Sequence, residues 1–369
     1  MGEQQRYLAL DVFRGMTVCF MIIVNNPGSW SIAYGPLLHA SWHGFTPTDL
    51  VFPSFLFAVG NAMAFVMHKY DRENTGPFWR KTLKRTFIIF LIGYALHWIP
   101  PFHNGELRSF DTTRIPGVLQ RIALCYFFAS IIIFYGSKKF AIWFSVFALF
   151  AYWIIMRLYG DANDPYSLIG NAALHLDKII LGDGHLYRGE GIPFDPEGIL
   201  STLPAIVNVI FGYLAGDFIR KHGNNYETIA KLLIAGAALI FGALVWDMAF
   251  PINKKIWTSS FVLNTVGIDL VMLAALIYAI EIIKFRKGVG FFTVFGKNPL
   301  FIYILADFVS MALGMIPVGN TNLHGWLFES FFGSIFSPIN ASLLSALFVM
   351  MICWTAGYFM DKKKIYVKV

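Results

Sequence analysis

The chain of 369 residues is 57% hydrophobic and only 14% charged; soluble domains carry roughly a quarter of charged residues, so an ordinary soluble globular protein is excluded. The apolar residues gather in blocks of about 20, the length that crosses a hydrocarbon core, and the blocks are continuous rather than alternating, which points to helices and not barrel strands. The net charge of +7 raises nucleic acid as a partner, but the placement of the charges along the chain excludes it.

In chain order the blocks predict spans at 7–27, 49–68, 86–100, 115–135, 140–158, 200–219, 231–250, 259–281, 291–313 and 340–360. The expected fold is an all-α polytopic bundle of about ten transmembrane helices, forming a single transmembrane domain over 1–369. The first block is interrupted by Asp11 and Arg14 and no small-residue cleavage pattern follows it, so the N-terminal segment is expected to stay in the mature protein. Alternate loops hold nineteen and seven of the Lys and Arg residues. That bias puts both termini in the cytoplasm and accounts for the positive charge without nucleic acid. Cys19, Cys125 and Cys353 each lie inside an apolar block and read as small packing residues, with no disulfide framework and no Cys-x-x-Cys metal motif.

The longest outer segment, 159–199, is rich in Gly, Asp, Asn and His and reads as a lid or as a plain connector. It ends in Asp195-Pro196-Glu197, where an N-cap Asp, a Pro at the first helical position and a first-turn Glu predict the start of the sixth span.

Charges inside spans cost roughly 2.5–3.5 kcal/mol each on insertion scales and need a reason. Asp11 and Arg14 are three apart and can pair on one helix face. Arg121 lies two turns inside the fourth span, nearer the outer surface, and Lys297 inside the ninth, nearer the cytoplasm; Asp247, Asp269 and Asp307 add to a polar interior. A transporter and an intramembrane enzyme both need such an interior. More informative is the outer end of the first span, Val24-Asn25-Asn26-Pro27-Gly28, with the loop His39-Ala40-Ser41-Trp42-His43-Gly44-Phe45-Thr46-Pro47-Thr48-Asp49. Thr46-x-x-Asp49 resembles a capping box with Asp in place of Glu. The topology puts Asn25 and His39 on one side of the membrane. A histidine supplies a base near neutral pH and an asparagine amide can donate to an oxyanion, so the two form an acyl-transfer kit. His39 and His43 have metal-ligand spacing, but Ala40 stands where His-Glu-x-x-His needs Glu, and Gly44 and Pro47 disfavour a helix; no metal is expected.

At these residues the sequence resembles the catalytic domain of the heparan-α-glucosaminide N-acetyltransferase family and the bacterial proteins similar to it. The likeness begins at Leu10-Asp11-Val12-Phe13-Arg14-Gly15, is strongest over 39–53, and recurs at Arg114-Ile115-Pro116-Gly117-Val118-Leu119-Gln120-Arg121, at Asp195-Pro196-Glu197-Gly198, at Asn253-Lys254-Lys255-Ile256-Trp257 and at Gly296-Lys297-Asn298. The resemblance implies an enzyme that passes acetyl from cytoplasmic acetyl-CoA to an amino sugar across a bacterial cytoplasmic (inner) membrane, with His39 catalytic, Asn25 assisting, and a homodimer as the assembly. Arg14, Lys297 and Asn298 are expected to hold the coenzyme, and Arg121, Asp49 and His43 to face the acceptor substrate. The acceptor stays open between glucosamine, another amino sugar and a cell-envelope hydroxyl. The rival expectations are an amino-sugar transporter and an O-acyltransferase acting on envelope glycans.

Overall fold

The computed structural model describes residues 7–98 and 109–367. Arg6, Arg108 and Lys368 of the charge bias, and positions 99–100 of the third expected span, lie outside the described residues. In chain order the helices are α1 (Leu8–Asn25), α2 (Pro47–Ala64), α3 (Gly76–Trp98), α4 (Val118–Tyr135), α5 (Lys138–Tyr159), α6 (Ala172–Leu181), α7 (Thr202–His222), α8 (Tyr226–Asp247), α9 (Ser259–Leu276), α10 (Val289–Lys297), α11 (Pro299–Met315), α12 (Leu323–Trp326) and α13 (Pro338–Lys362). A two-residue antiparallel hairpin, β1 (Pro317–Val318) with β2 (Thr321–Asn322), is the only sheet among the described residues. The expected all-helical class is therefore observed.

Eight of these helices are long and apolar enough to cross a membrane, and nine crossings result if the bent pair α10–α11 counts as one. Two differences from the expected spans have local causes. The first half of α3 carries Arg80, Lys81, Lys84 and Arg85, so only its second half is apolar. The ninth expected span is broken into α10 and α11, bent by 89°. Asn298 between them has φ −131° and ψ 51°, and Pro299 opens α11; a proline disfavours helical geometry at the residue before it and donates no hydrogen bond.

By its internal contacts the chain divides into two compact units, whose described residues are 7–40, 45–55 and 272–367 in the first and 41–44 and 56–271 in the second. In the first, α1 packs along α10 and α13, and α11 along α13. The crossing of α1 and α10 is close enough for backbones to touch. A Cβ at Gly15 would stand 1.9 Å from the carbonyl oxygen of Phe292, and one at Gly296 would stand 2.3 Å from that of Asp11. Small residues at such crossings are how membrane helices gain packing where lipid offers no hydrophobic contrast.

In the second unit α4 packs on α3 and α7, and α5 on α7. The segment 159–199 contributes Leu174 and Phe194 to a hydrophobic cluster in which Tyr152, Met156, Phe250 and Ile256 are also buried. The start of α7 differs from expectation. Its N-cap is Ser201, and Asp195 and Glu197 precede the helix because both carboxylates are drawn to Arg114 (below). Within the same segment Asp177 of α6 is 1% exposed, and its Oδ1 accepts from the Ile199 amide at 2.8 Å. Burial pushes its carboxyl up to about 7. A raised folded-state value means that the folded chain holds a proton the unfolded chain has lost, so stability falls as pH rises from about 4 toward 7. Asp177→Asn keeps the acceptor for Ile199 and removes this loss. Its thermal midpoint is expected to exceed that of the parent at pH 8 and to match it at pH 4; equal midpoints at pH 8 would show the carboxyl to be ionised without cost.

Candidate active site

The first unit places His39 through the chain that enters α2. Asp49 sits in the first turn of α2, where the positive end of the helix favours a carboxylate, and it is 1% exposed. Its Oδ2 accepts from the Thr46 amide (2.9 Å) and the Ala40 amide (3.2 Å). The Thr46 hydroxyl donates to the Leu38 carbonyl (2.7 Å) and lies 3.1 Å from the same oxygen. This is the acidic arm of the capping arrangement expected from Thr46-x-x-Asp49. The other oxygen does something the sequence reading left out: Oδ1 lies 2.7 Å from Nδ1 of His39. A buried carboxylate with two backbone donors on Oδ2 accepts on Oδ1, so Nδ1 of His39 carries the proton and Nε2 is the basic nitrogen. The His39 side chain is 36% exposed, so the ring reaches an open space while its orientation is held from a buried one.

Asn25 is the last residue of α1 and is exposed. No hydrogen bond to its amide occurs among the described residues. Its neighbour Asn26 is buried and structural: Nδ2 donates to the Ile22 carbonyl at 2.7 Å, and Oδ1 accepts from Ser310. Ile23 near the end of α1 and Pro47 and Leu50 at the start of α2 line one cavity, so the ends that carry Asn25 and Asp49 face the same space. Asn25 and His39 make no direct hydrogen bond.

The three expected coenzyme residues converge. Arg14 Nε donates to the carbonyl of Gly296 (2.7 Å), the residue before Lys297 and Asn298, and its Nη2 donates to Asp11 (2.7 Å) as the spacing predicted. Lys297 Nζ bonds both oxygens of Asp361 (2.7 and 2.6 Å). Asn298 holds the C-terminal segment, donating to the Ile365 carbonyl (3.0 Å) and accepting from the Val367 amide (2.9 Å). Each of these side chains is engaged by a protein partner, so the cluster as it stands is balanced in charge.

The second unit holds Arg121 and His43. Arg121 is 1% exposed. Its Nη2 donates to the Gly198 carbonyl (3.0 Å) and to Ser201, its guanidinium lies 4.9 Å over the Trp257 ring, and Nε and Nη1 have no hydrogen-bond partner among the described residues. Trp257 adopts φ +52°, a region bulky residues avoid. His43 is held by the other conspicuous motif. Asn253 Oδ1 accepts from the Ile256 amide (3.1 Å), which fixes the orientation of the side-chain amide, so Nδ2 donates to Nδ1 of His43 (3.3 Å). His43 is then neutral with its proton on Nε2. Desolvation holds its value below that of an ordinary imidazole although Asp164 and Asp247 act the other way. The two loop histidines thus have opposite tautomers: His39 offers a base and His43 offers a donor.

A third arginine was missed. Arg114 Nε and Nη2 clasp Asp195 (2.8 and 2.7 Å), Nη2 also reaches Glu197 (2.6 Å), and the guanidinium lies 4.8 Å over Tyr187. Burial opposes ionisation of Glu197, but Arg114, with Lys254 and Arg121, outweighs it and holds the carboxyl below its usual value. Arg114, Tyr187 and Arg188 line a polar pocket of about 510 Å³. The signal was present in the sequence, since two of the segments that carried the family resemblance begin with Arg114 and with Asp195, but nothing in one dimension joined them.

Comparison with known proteins follows the same residues. Residues 6–242 match the family described as heparan-alpha-glucosaminide N-acetyltransferase, catalytic. The mouse protein named heparan-alpha-glucosaminide N-acetyltransferase is 26% identical over 356 residues, covering 82% of this chain and 53% of its own length. The human protein of that name is 27% identical over 352 residues, covering 81% and 52%. The chain spans about half the length of these relatives. With the matched region running from α1 into α8 and including the His39–Asp49 pair, the chain belongs to the family of the heparan-alpha-glucosaminide N-acetyltransferase catalytic domain.

Proposed function

We propose that the protein is a transmembrane acetyltransferase that moves acetyl from acetyl-CoA to the amine of an amino sugar, with His39 as general base. The observation that carries this reading is the Asp49–His39 pair: a buried carboxylate that fixes the tautomer of an exposed imidazole, in a chain whose relatives are named N-acetyltransferases. The acceptor nitrogen attacks the thioester carbonyl while Nε2 of His39 takes its proton. Asp49 stabilises the imidazolium that forms. The Asn25 amide, unengaged and at the same end of the first unit, donates to the oxyanion of the tetrahedral intermediate. Collapse breaks the carbon–sulfur bond, and the imidazolium returns the proton to the departing thiolate, leaving amide and coenzyme A.

The Arg14–Lys297–Asn298 cluster supports a coenzyme phosphate site at the opposite end of α1 from Asn25. Arg14 lies eleven residues before Asn25, about 16 Å along the helix at 1.5 Å per residue, which sets the separation of the phosphate site from the catalytic end. Phosphate binding there exchanges Lys297 from Asp361 to the ligand. The polar pocket at Arg114 and Tyr187, and the donor tautomer of His43, support recognition of a hydroxylated acceptor by the second unit. A count of ten spans, which takes α3 and the bent pair as crossings, and the charge bias support a topology with both termini in the cytoplasm of a bacterial cell and the membrane between donor and acceptor.

The test is release of free coenzyme A from acetyl-CoA by the purified protein, with and without glucosamine, for the parent and His39→Ala. Glucosamine-dependent release is expected, falling at least about 100-fold in the variant, the low end for loss of a general base. Release that persists in folded His39→Ala would remove His39 from the reaction, and no release with any amino sugar would turn the reading toward transport.

A further inference from the structure

The first unit contains a chamber of about 530 Å³, the space that the ends of α1 and α2 face, and an acetyl group would fill little of it. Its wall includes Met16 and Phe20 of α1, Leu50 and Val51 of α2, Met272 of α9 and Met350 of α13. Its polar side chains are only those of Thr17 and Ser54 among the described residues, and the Thr17 hydroxyl already donates to the Phe13 carbonyl (2.9 Å). A pantetheine arm lying here would leave its two amides unpaired, which apolar surroundings penalise. An acetyl methyl would leave the chamber nearly empty. A hydrocarbon chain meets both conditions, and three methionines give a wall that adapts to chains of different length.

The chamber has a definite relation to the chemistry within this unit. Pro47 and Leu50 line it on the turn of α2 that carries Asp49 between them, and Asp49 holds His39. A chain lodged against α1 and α2 therefore has its head at the catalytic turn. We propose that this chamber receives the alkyl chain of a donor acyl thioester, so that the protein transfers acyl groups longer than acetyl. The inference rests on the acyltransfer reading above. The reaction keeps its balance: the acceptor–carbonyl bond forms, the carbon–sulfur bond breaks, and the proton passes through His39 to the thiolate, with the longer chain still in the chamber.

Burial of each added methylene is worth about 0.8 kcal/mol, or roughly a threefold to fourfold gain in affinity, until the space is filled. The experiment compares kcat/KM for octanoyl-CoA and acetyl-CoA in lipid nanodiscs, for the parent and for Val51→Phe and Met350→Phe, which narrow the chamber from two different helices. The expected result is a ratio above one in the parent that falls at least tenfold in both variants. Because the ratio is taken within one protein sample, partial misfolding does not change it. A parent ratio at or below one, or a ratio that narrowing leaves alone, overturns the proposal and makes the chamber a seat for membrane lipid only. A second readout needs no turnover: the thermal midpoint with S-octyl-CoA against S-ethyl-CoA, two unreactive thioethers. Greater stabilisation by the octyl compound in the parent, lost in Met350→Phe, supports the chamber even if no transfer to any acceptor is found, in which case the enzyme reading alone fails. Equal stabilisation by the two compounds overturns it.

Discussion

Asp49→Asn is expected to lower kcat for coenzyme A release by roughly 10³- to 10⁴-fold while leaving the protein folded, the size of effect seen where an orienting carboxylate of a catalytic histidine is made an amide. The reason lies in which oxygen does what. Oδ2 of Asp49 accepts from the backbone amides of Thr46 and Ala40. An asparagine at this position keeps those bonds only by pointing its carbonyl oxygen there, and its NH₂ then faces His39 where Oδ1 now accepts. Nδ1 must become the acceptor, the proton moves to Nε2, and the ring loses its base at the reacting side. The start of α2 keeps its cap, so the thermal midpoint should stay close to that of the parent. Asp49→Ala removes cap and orientation together and should lose both activity and stability. The measurement is kcat with acetyl-CoA and glucosamine alongside the midpoint of each variant. A loss of less than about 10-fold in Asp49→Asn would place His39 outside the proton transfer, since general-base contributions run from roughly 10² upward.

The largest effect on stability is expected at Arg114. Its partners Asp195 and Glu197 have side chains 0% and 7% exposed, so Arg114→Gln strands two carboxylates in a site built for a cation. Removing one member of a buried ion cluster costs about 3–5 kcal/mol. The pH dependence gives the cause a signature. In the parent, Arg114 keeps Glu197 below its ordinary value, so that contribution is complete above the unfolded-state value and is lost as pH falls through the folded one. Without the arginine, burial acts to raise the Glu197 carboxyl, and the contribution is lost instead as pH rises. The stability gap between parent and variant should therefore narrow on acidification, as read by thermal midpoints from pH 8 to pH 4.5. The triple variant Arg114→Gln, Asp195→Asn, Glu197→Gln should recover much of the loss at neutral pH. A gap that is constant with pH would assign the damage to lost packing on Tyr187 rather than to charge.

The sequence by itself determined the membrane class, the helical content and the Asp11–Arg14 pair, because apolar block length and a spacing of three on a helix are one-dimensional quantities. It also determined the family, since the segments that carry the likeness run in order along the chain. Tertiary structure alone decided the rest. The expected start of the sixth span at Asp195 gave way to Ser201: Asp195 caps only a separate turn, accepting from the Glu197 amide, while an arginine eighty-one residues earlier clasps the same carboxylate. The ninth span broke at Asn298, where Pro299 disfavours helical geometry before it and opens a new helix, a signal the sequence displayed but hydropathy averaging hides. Asp49 looked like a cap and a substrate contact; it is a cap whose second oxygen orients His39, and only the fold of the loop 38–46 brings that oxygen within 2.7 Å. Two histidines four residues apart look equivalent in sequence. A carboxylate beside one and a fixed amide beside the other make them a base and a donor, and those partners come from α2 and from Asn253, 210 residues beyond His43. Proton placement depends on what lies opposite each nitrogen in space, and that is a property of packing rather than of order along the chain.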